Sequence, residues 1–242
     1  MIGIIGALEE ETKLICADID NGVLREKTIF TFVRGRLEGQ DVVVVKCGVG
    51  KVNAALCTQI LLDEYACDFI IFCGVAGALL PGLRQGDIVV SSHAVQFDVD
   101  LTAFGRRHGE TPDADRMIEA DPQLVKNITD AFDDIKDSLE GSPNLIVGTI
   151  VSGDRFISDP ETIKWLQREF GAACTEMEGG ALGYTCHINR VPFAIIRAIS
   201  DSADSEAAQH FSVFLESSSR VLHRLIKAAI VRLKPLSTQA GR

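Results

Sequence analysis

The sequence predicts an α/β fold: a single domain with a central mixed, mostly parallel twisted sheet flanked by helices. Three observations predict it. Short β-branched or aliphatic runs recur along the chain, longer helical patterns separate them, and glycine-rich turns join the two. No Pro/Gly/Ser-rich linker divides the 242 residues, a length that suits one large domain. Hydrophobic residues make up 46% and aromatics only 6%, so the core is expected to be aliphatic.

The elements follow in order. The apolar run 2–8 reads as a buried strand, and 9–19, acidic in its first turn, as a helix. Residues 28–36 and 41–47 form a hairpin around 38–40, the second arm carrying four consecutive valines. A helix is expected over 51–64, and a strand over 68–73 that ends in glycine. Residues 87–95 are β-rich, and 121–139 make a polar amphipathic helix. A strand (145–151), a helix (159–169) and a short strand (173–177) come next. The pattern closes with a helix over 180–187, a strand over 192–199 and a long helix over 212–233. Residues 1–233 are thus expected to form the domain, with 234–242 a frayed tail. In such sheets ligands bind beyond the carboxyl ends of the strands, which directs the search for chemistry.

A net charge of −10 argues against nucleic acid and anionic membranes as partners, though not against a small anionic ligand. The seven cysteines form no CxxC pair and no Cys/His ligand spacing. They read as buried, reduced thiols of a cytoplasmic protein, with no metal. The first eight residues are apolar but lack a basic flank, so no signal peptide is expected. No run approaches the roughly 20 apolar residues of a membrane span.

Five motifs sit at expected strand ends. "KCGVGKVNAAL" (46–56) fails as a phosphate loop, with Val45 and Val52 where Gly and Ser/Thr are required. Its Gly48-x-Gly50 is followed by Ala54 but lacks the third glycine of a dinucleotide fingerprint, which leaves that the weaker reading beside a tight turn or close approach to a small ligand. "FCGVAGAL" (72–79) either packs closely or floors a pocket. "IVSGDRFI" (150–157) carries Phe156, either core or a stacking surface for a planar ring. In "CTEMEGGALG" (174–183), Glu176 and Glu178 flank Met177 before a glycine-opened helix, where carboxylates also serve as caps. "IIRAISDSAD" (195–204) places Arg197 in an apolar strand and Ser200-Asp201 at its end, with Asp201 an equally good helix cap. Acids at three strand ends point to general acid/base chemistry as well as to capping.

Among Glu9, Glu10 and Glu11, helical phase separates the three. Glu11 lies three and four residues before Leu14 and Ile15 and shares their apolar stripe. Glu9 lies above Thr12 and Lys13, a solvent-facing pair, and Glu10 falls at the boundary. Only Glu11 is aimed inward, where a carboxylate requires a partner or a job.

In this order, "IGIIGALEEE", "CGVGKVNAA", "VDLTAFG", "VSGDRFI", "TEMEGGA" and "RAISDSAD" resemble the 5′-methylthioadenosine/S-adenosylhomocysteine nucleosidases of the nucleoside phosphorylase/hydrolase superfamily, over nearly the whole chain. The resemblance implies hydrolysis of an adenosine thioether without metal or cofactor, in methionine salvage. It makes Glu11 the base that activates water and Asp201, steadied by Ser200, the acid that protonates adenine N7. Asp201 must then hold a proton near neutral pH. Glu178 is similar to the acceptor of the ribose hydroxyls, and Met177 to the residue packed on the sugar. Phe156 would stack on adenine while the backbone of Ile157 reads its edge. Leu8, Val49, Leu101 and Phe211 match positions lining the 5′-alkylthio pocket. Phe104 and Pro112 match a loop inserted into a neighbouring subunit's site, which implies a homodimer. Arg197 resembles a buried structural partner for nearby acids. One departure stands out: Val75 occupies a position where many relatives carry serine. That change removes a hydroxyl used for phosphate by phosphorylases of this fold, and acidic Glu11 would repel phosphate. Sister activities on aminofutalosine or other 5′-modified adenosines share the same acids, and a catalytically silent adenosine sensor is the non-enzymatic alternative.

Overall fold

The computed structural model describes residues 1–201 and 207–233, the side chains of 201 and 207–213 excepted. The first strand, β1 (Ile2–Gly6), is buried along its whole length. Helix α1 (Glu9–Ala17) follows, then an antiparallel meander of β2 (Asp20–Lys27), β3 (Phe30–Leu37) and β4 (Gln40–Lys46). Helix α2 (Lys51–Tyr65) leads into β5 (Phe69–Ala78). After β6 (Ile88–Gln96) come the two-residue β7 (Ile118–Glu119), α3 (Pro122–Ile135) and β8 (Leu145–Ser152). The chain ends with α4 (Pro160–Phe170), β9 (Ala172–Glu176), α5 (Gly179–Asn189), β10 (Phe193–Asp201) and α6 (Ala207–Arg232).

The strands lie in the order β10-β6-β8-β9-β5-β1-β4-β3-β2, and β10 also pairs with β5. Strands β5, β10, β6, β8 and β9 therefore close on themselves, while β1, β4, β3 and β2 extend from β5 as an open sheet. Parallel pairing runs through β4-β1-β5-β10 and through β6-β8-β9, with antiparallel pairs joining and edging these groups. The valine run in β4 shows why both faces are apolar. Val43 and Val45 join Ala54 and Leu61 of α2 and Leu182 of α5 in one core. Val42 and Val44 join Ile15 of α1, Leu124 of α3 and Leu225 of α6 in the other. A period of two between two helical layers is what a continuous hydrophobic strand requires.

The alternation expected from the sequence is present, with several differences; β7 was not anticipated, and α6 begins at Ala207 rather than at 212. β2 was not anticipated, because its residues are exposed on both faces except for half-buried Lys27 and so carry no alternation. β5 continues through its glycines to Ala78 because β10 pairs with it as far as Gly77. The helix expected over 121–139 ends at Ile135 and tightens into a 3₁₀ turn, Lys136–Ser138. Thr12, expected at the surface, is buried on α1, and Glu10, placed at the boundary, is exposed. The tail 234–242 lies outside the described residues. All seven cysteines are free thiols, six of them buried. Among the described residues, no helix is long and apolar enough to cross a membrane.

Candidate active site

Glu11 sits in the first turn of α1, whose N-cap is Leu8. Its carboxylate reaches back to the amides that open the helix, as a glutamate at this position commonly does. Oε2 accepts from Ala7 N at 2.6 Å and Leu8 N at 2.9 Å. Oε1 crosses to β5 and accepts from Val75 N at 3.0 Å. With only 5% exposure the group is nearly dry. Burial pushes its pKa above the ordinary carboxylate range, while Arg197 and the three amides oppose the shift.

Arg197 is 1% exposed, the largest fully buried side chain among the described residues. In the β10–β5 ladder it lies beside Gly74, and its guanidinium covers the ring of Phe72 at 4.0 Å. Nη2 donates to Glu176 Oε2. Burial works against the charge of Arg197, but Glu176, Glu11 and Glu178 more than offset it and raise its pKa.

The two glutamates around Met177 meet different partners. Glu176, which ends β9, caps α5: it accepts from Gly179 N at 2.8 Å and Glu178 N at 3.2 Å. It also accepts from Ser152 Oγ, which in turn accepts from Gly180 N at 2.6 Å. Glu178 accepts from Gly50 N at 2.8 Å. Gly50, at φ 98°, is the N-cap of α2, so this amide is one of the helix's unpaired donors. Burial, with the Glu176 charge adding to it, pushes the Glu178 pKa up to about 7.

These groups line a cavity of about 310 Å³ at the carboxyl ends of β1, β5, β9 and β10. Of the residues singled out from the sequence, Leu8, Glu11, Val49, Phe156, Ile157, Met177, Glu178 and Ser200 form its wall. Phe156 is half exposed at 52%, whereas Ile157 is buried. Ser200 is fully buried, with its hydroxyl 3.4 Å from the Ala76 carbonyl. Asp201 ends β10, but its side chain and that of Phe211 lie outside the described residues. Leu101, Phe104 and Pro112 are not among the residues that line the cavity; Phe104 is 82% exposed. Val75 is in the wall, and its amide holds Glu11.

Sequence reasoning missed the amides of Ala7, Leu8 and Gly50, the Ser152 bridge and the demand on Gly74. A Cβ at Gly74 would lie 2.6 Å from both Glu11 Oε1 and Arg197 Nη1. Glycine is therefore what lets carboxylate and guanidinium pass the strand. Gly74→Ala is expected to lower turnover by about 10²-fold through displacement of Glu11. Steady-state kinetics alongside thermal unfolding checks this; an alanine variant with wild-type turnover would show that Glu11 can shift harmlessly.

Closed five-stranded ring, helical layers on both faces and an acid-lined cleft at the strand ends define the class: the chain belongs to the phosphorylase superfamily, whose family model matches residues 1–231. Within that class, it is 39% identical over 234 residues to a 5′-methylthioadenosine/S-adenosylhomocysteine nucleosidase of an Exiguobacterium species, covering 96% of this chain and 98% of the relative. A crystal structure of the Neisseria meningitidis 5′-methylthioadenosine/S-adenosylhomocysteine nucleosidase with methylthio-immucillin-A superposes with a TM-score of 0.91 at 34% identity. That match covers 96% of this chain and 99% of the other. The futalosine hydrolase of Helicobacter pylori superposes with a TM-score of 0.89 at 31% identity, covering 96% and 97% of the two chains.

Proposed function

We propose that the protein hydrolyses the N-glycosidic bond of 5′-methylthioadenosine and S-adenosylhomocysteine, releasing adenine and the 5′-thioribose. The observation that carries this reading is the buried Glu11 carboxylate, held by three amides in the wall of a cavity that also presents Glu178 and Phe156. As the bond from the sugar C1′ to adenine N9 breaks, its electron pair leaves with the base, and the ribose becomes cationic. Asp201, with Ser200 beside it, gives its proton to adenine N7, a step typically contributing roughly 10²–10⁴-fold. Glu11 takes a proton from water as the water oxygen bonds to C1′. The acids of the cleft favour the cationic sugar electrostatically. Glu178 accepts from the ribose hydroxyls, Met177 packs on the sugar, and Phe156 stacks on adenine while the Ile157 backbone reads its edge. Leu8, Val49, Leu101 and Phe211 hold the thioether tail.

The reading extends to assembly and setting. The nucleosidase domain spans 1–233 and works as a cytoplasmic homodimer in methionine salvage, Phe104 and Pro112 reaching the neighbouring site. The exposure of Phe104 and the free buried thiols support these two points.

The decisive test is adenine release from methylthioadenosine with and without phosphate. Equal rates and free thioribose are expected, because Glu11, Glu176 and Glu178 make the cleft hostile to a phosphate nucleophile. Phosphate-dependent release of a sugar 1-phosphate overturns hydrolysis. The likeness to a futalosine hydrolase favours one second reading, a nucleosidase for aminofutalosine or another 5′-modified adenosine. Parallel assays with methylthioadenosine, S-adenosylhomocysteine and aminofutalosine separate the two. Tight binding of adenosine without adenine release would mark a sensor instead.

A further inference from the structure

Three loops at the carboxyl ends of the strands hold one another through a closed ring of contacts. Lys51, which opens α2, donates its backbone N–H to Asp154 Oδ1 at 2.8 Å. Asp154, in the loop that follows β8, donates its own N–H to Asp98 Oδ2 at 3.0 Å. Asp98, just past the end of β6, closes the ring: its Oδ1 accepts from Lys51 Nζ at 2.6 Å. The lysine side chain is only 16% exposed and the aspartate 27%, so solvent reaches the pair from one side. None of the three is among the residues that line the cavity.

The same loops carry groups assigned to the substrate. Gly50, one residue before Lys51, gives its N–H to Glu178, and Val49 before it lines the cavity. Phe156 and Ile157, just beyond Asp154, form another part of the wall. Phe156 is half exposed, so packing does little to fix it. The loop beneath it rests on the end of β6: a Cβ at Gly153 would run into the ring of Phe97, the residue before Asp98. Asp98 thus stands between the two loops, with one carboxylate oxygen for each. A partly exposed ion pair contributes little to folding, but small misplacements of a binding group are costly to an enzyme.

We propose that Asp98 is a positioning residue that sets the spacing between the purine clamp and the ribose acceptor, through Asp154 on one side and Lys51 on the other. The assignment rests on the nucleosidase reading and deepens it. A nucleoside must meet Phe156 and Glu178 at once, so it binds well only while the two loops keep their spacing. Free adenine meets the Phe156 side and can follow a loosened loop.

Steady-state adenine release from methylthioadenosine by wild type, Asp98→Ala, Lys51→Met and the double variant tests it. The inhibition constant of added adenine and the unfolding temperature are measured alongside. In Asp98→Ala, KM is expected to rise about tenfold, the size of one lost hydrogen bond to a charged group. Its kcat is expected to stay within about twofold, as when ground-state and transition-state binding are lost together. The inhibition constant of adenine is expected to change by less than about twofold, and the unfolding temperature to stay close to wild type. Lys51→Met keeps the aliphatic stem and should raise KM less, because the Asp98–Asp154 contact survives. The double variant is expected to match Asp98→Ala, since both substitutions open the same ring. Unchanged KM in Asp98→Ala overturns the proposal, as does an equal loss for adenine, or a double variant whose effect is the product of the single ones. These outcomes leave the nucleosidase reading standing, whereas wild-type protein that releases no adenine overturns that reading and the role of Asp98 with it.

Discussion

Glu11→Gln is expected to lower kcat by roughly 10²–10⁴-fold, the usual span for removing a positioned base. The variant suits the question because the amide has nearly the shape of the carboxylate. Its oxygen can still accept from Ala7 N and Leu8 N, at 2.6 and 2.9 Å in the wild type. The amide nitrogen then faces Val75 N, a donor against a donor, where the wild type has a 3.0 Å hydrogen bond. That mismatch costs about 1–3 kcal/mol, offset by no longer burying a charge, so the fold is expected to survive. The pH profile separates base chemistry from misplacement. Burial raises the Glu11 pKa, so in the wild type the active, ionised form is lost as pH falls through that raised value. Glu11→Gln should erase this acidic limb and flatten the residual rate with pH, with KM little changed. Retention of more than about a tenth of wild-type kcat, outside the span above, removes Glu11 from the chemistry.

How much of this was legible beforehand depends on how far apart the partners are. Glu11 could be chosen over Glu9 and Glu10 because the decision needs only the phase of one helix against Leu14 and Ile15; the structure buries Glu11 and leaves the other two exposed. Asp121 and Asp159, which open the third and fourth helices, are caps of the same local kind. From the residues alone Glu176 and Glu178 could be suspected but not told apart; only the family resemblance singled out Glu178. Their difference lies in which amides they meet, and Gly50 is 128 residues from Glu178. Arg197 was visible as a charge in an apolar strand, yet its route past Gly74 depends on the register of two strands far apart in sequence. β2 was invisible for the opposite reason: with both faces in water, no hydrophobic period marks it.

Arg197→Met is expected to have the largest effect on stability. In the wild type this guanidinium is the counter-charge for Glu176, which it touches, and acts on Glu11 and Glu178 through the dry interior. Methionine fills much of the same apolar channel over Phe72 but leaves three buried acids without a cation. Removing one partner of a buried pair typically costs about 3–5 kcal/mol. The pH dependence gives the sign. Glu178 is already raised to about 7 in the folded wild type by burial and by Glu176, while Arg197 lowers it. A carboxyl group whose folded pKa lies above its unfolded value binds more protons when folded, so its contribution is fully present below the unfolded pKa, about 4.3. That contribution is lost as pH rises through the folded value. Without Arg197, Glu178 and Glu11 lose the charge that opposes their upward shifts. Arg197→Met should therefore be far less stable than wild type at pH 8 and recover toward it at pH 5. Denaturant unfolding across that range reads the difference directly. Adding Glu176→Gln to Arg197→Met removes the most closely held of the stranded charges, and the double variant is expected to regain stability at pH 8. If Arg197→Met is as stable as wild type at pH 8, or the double variant is weaker than the single one, Arg197 is not the cation that balances these acids.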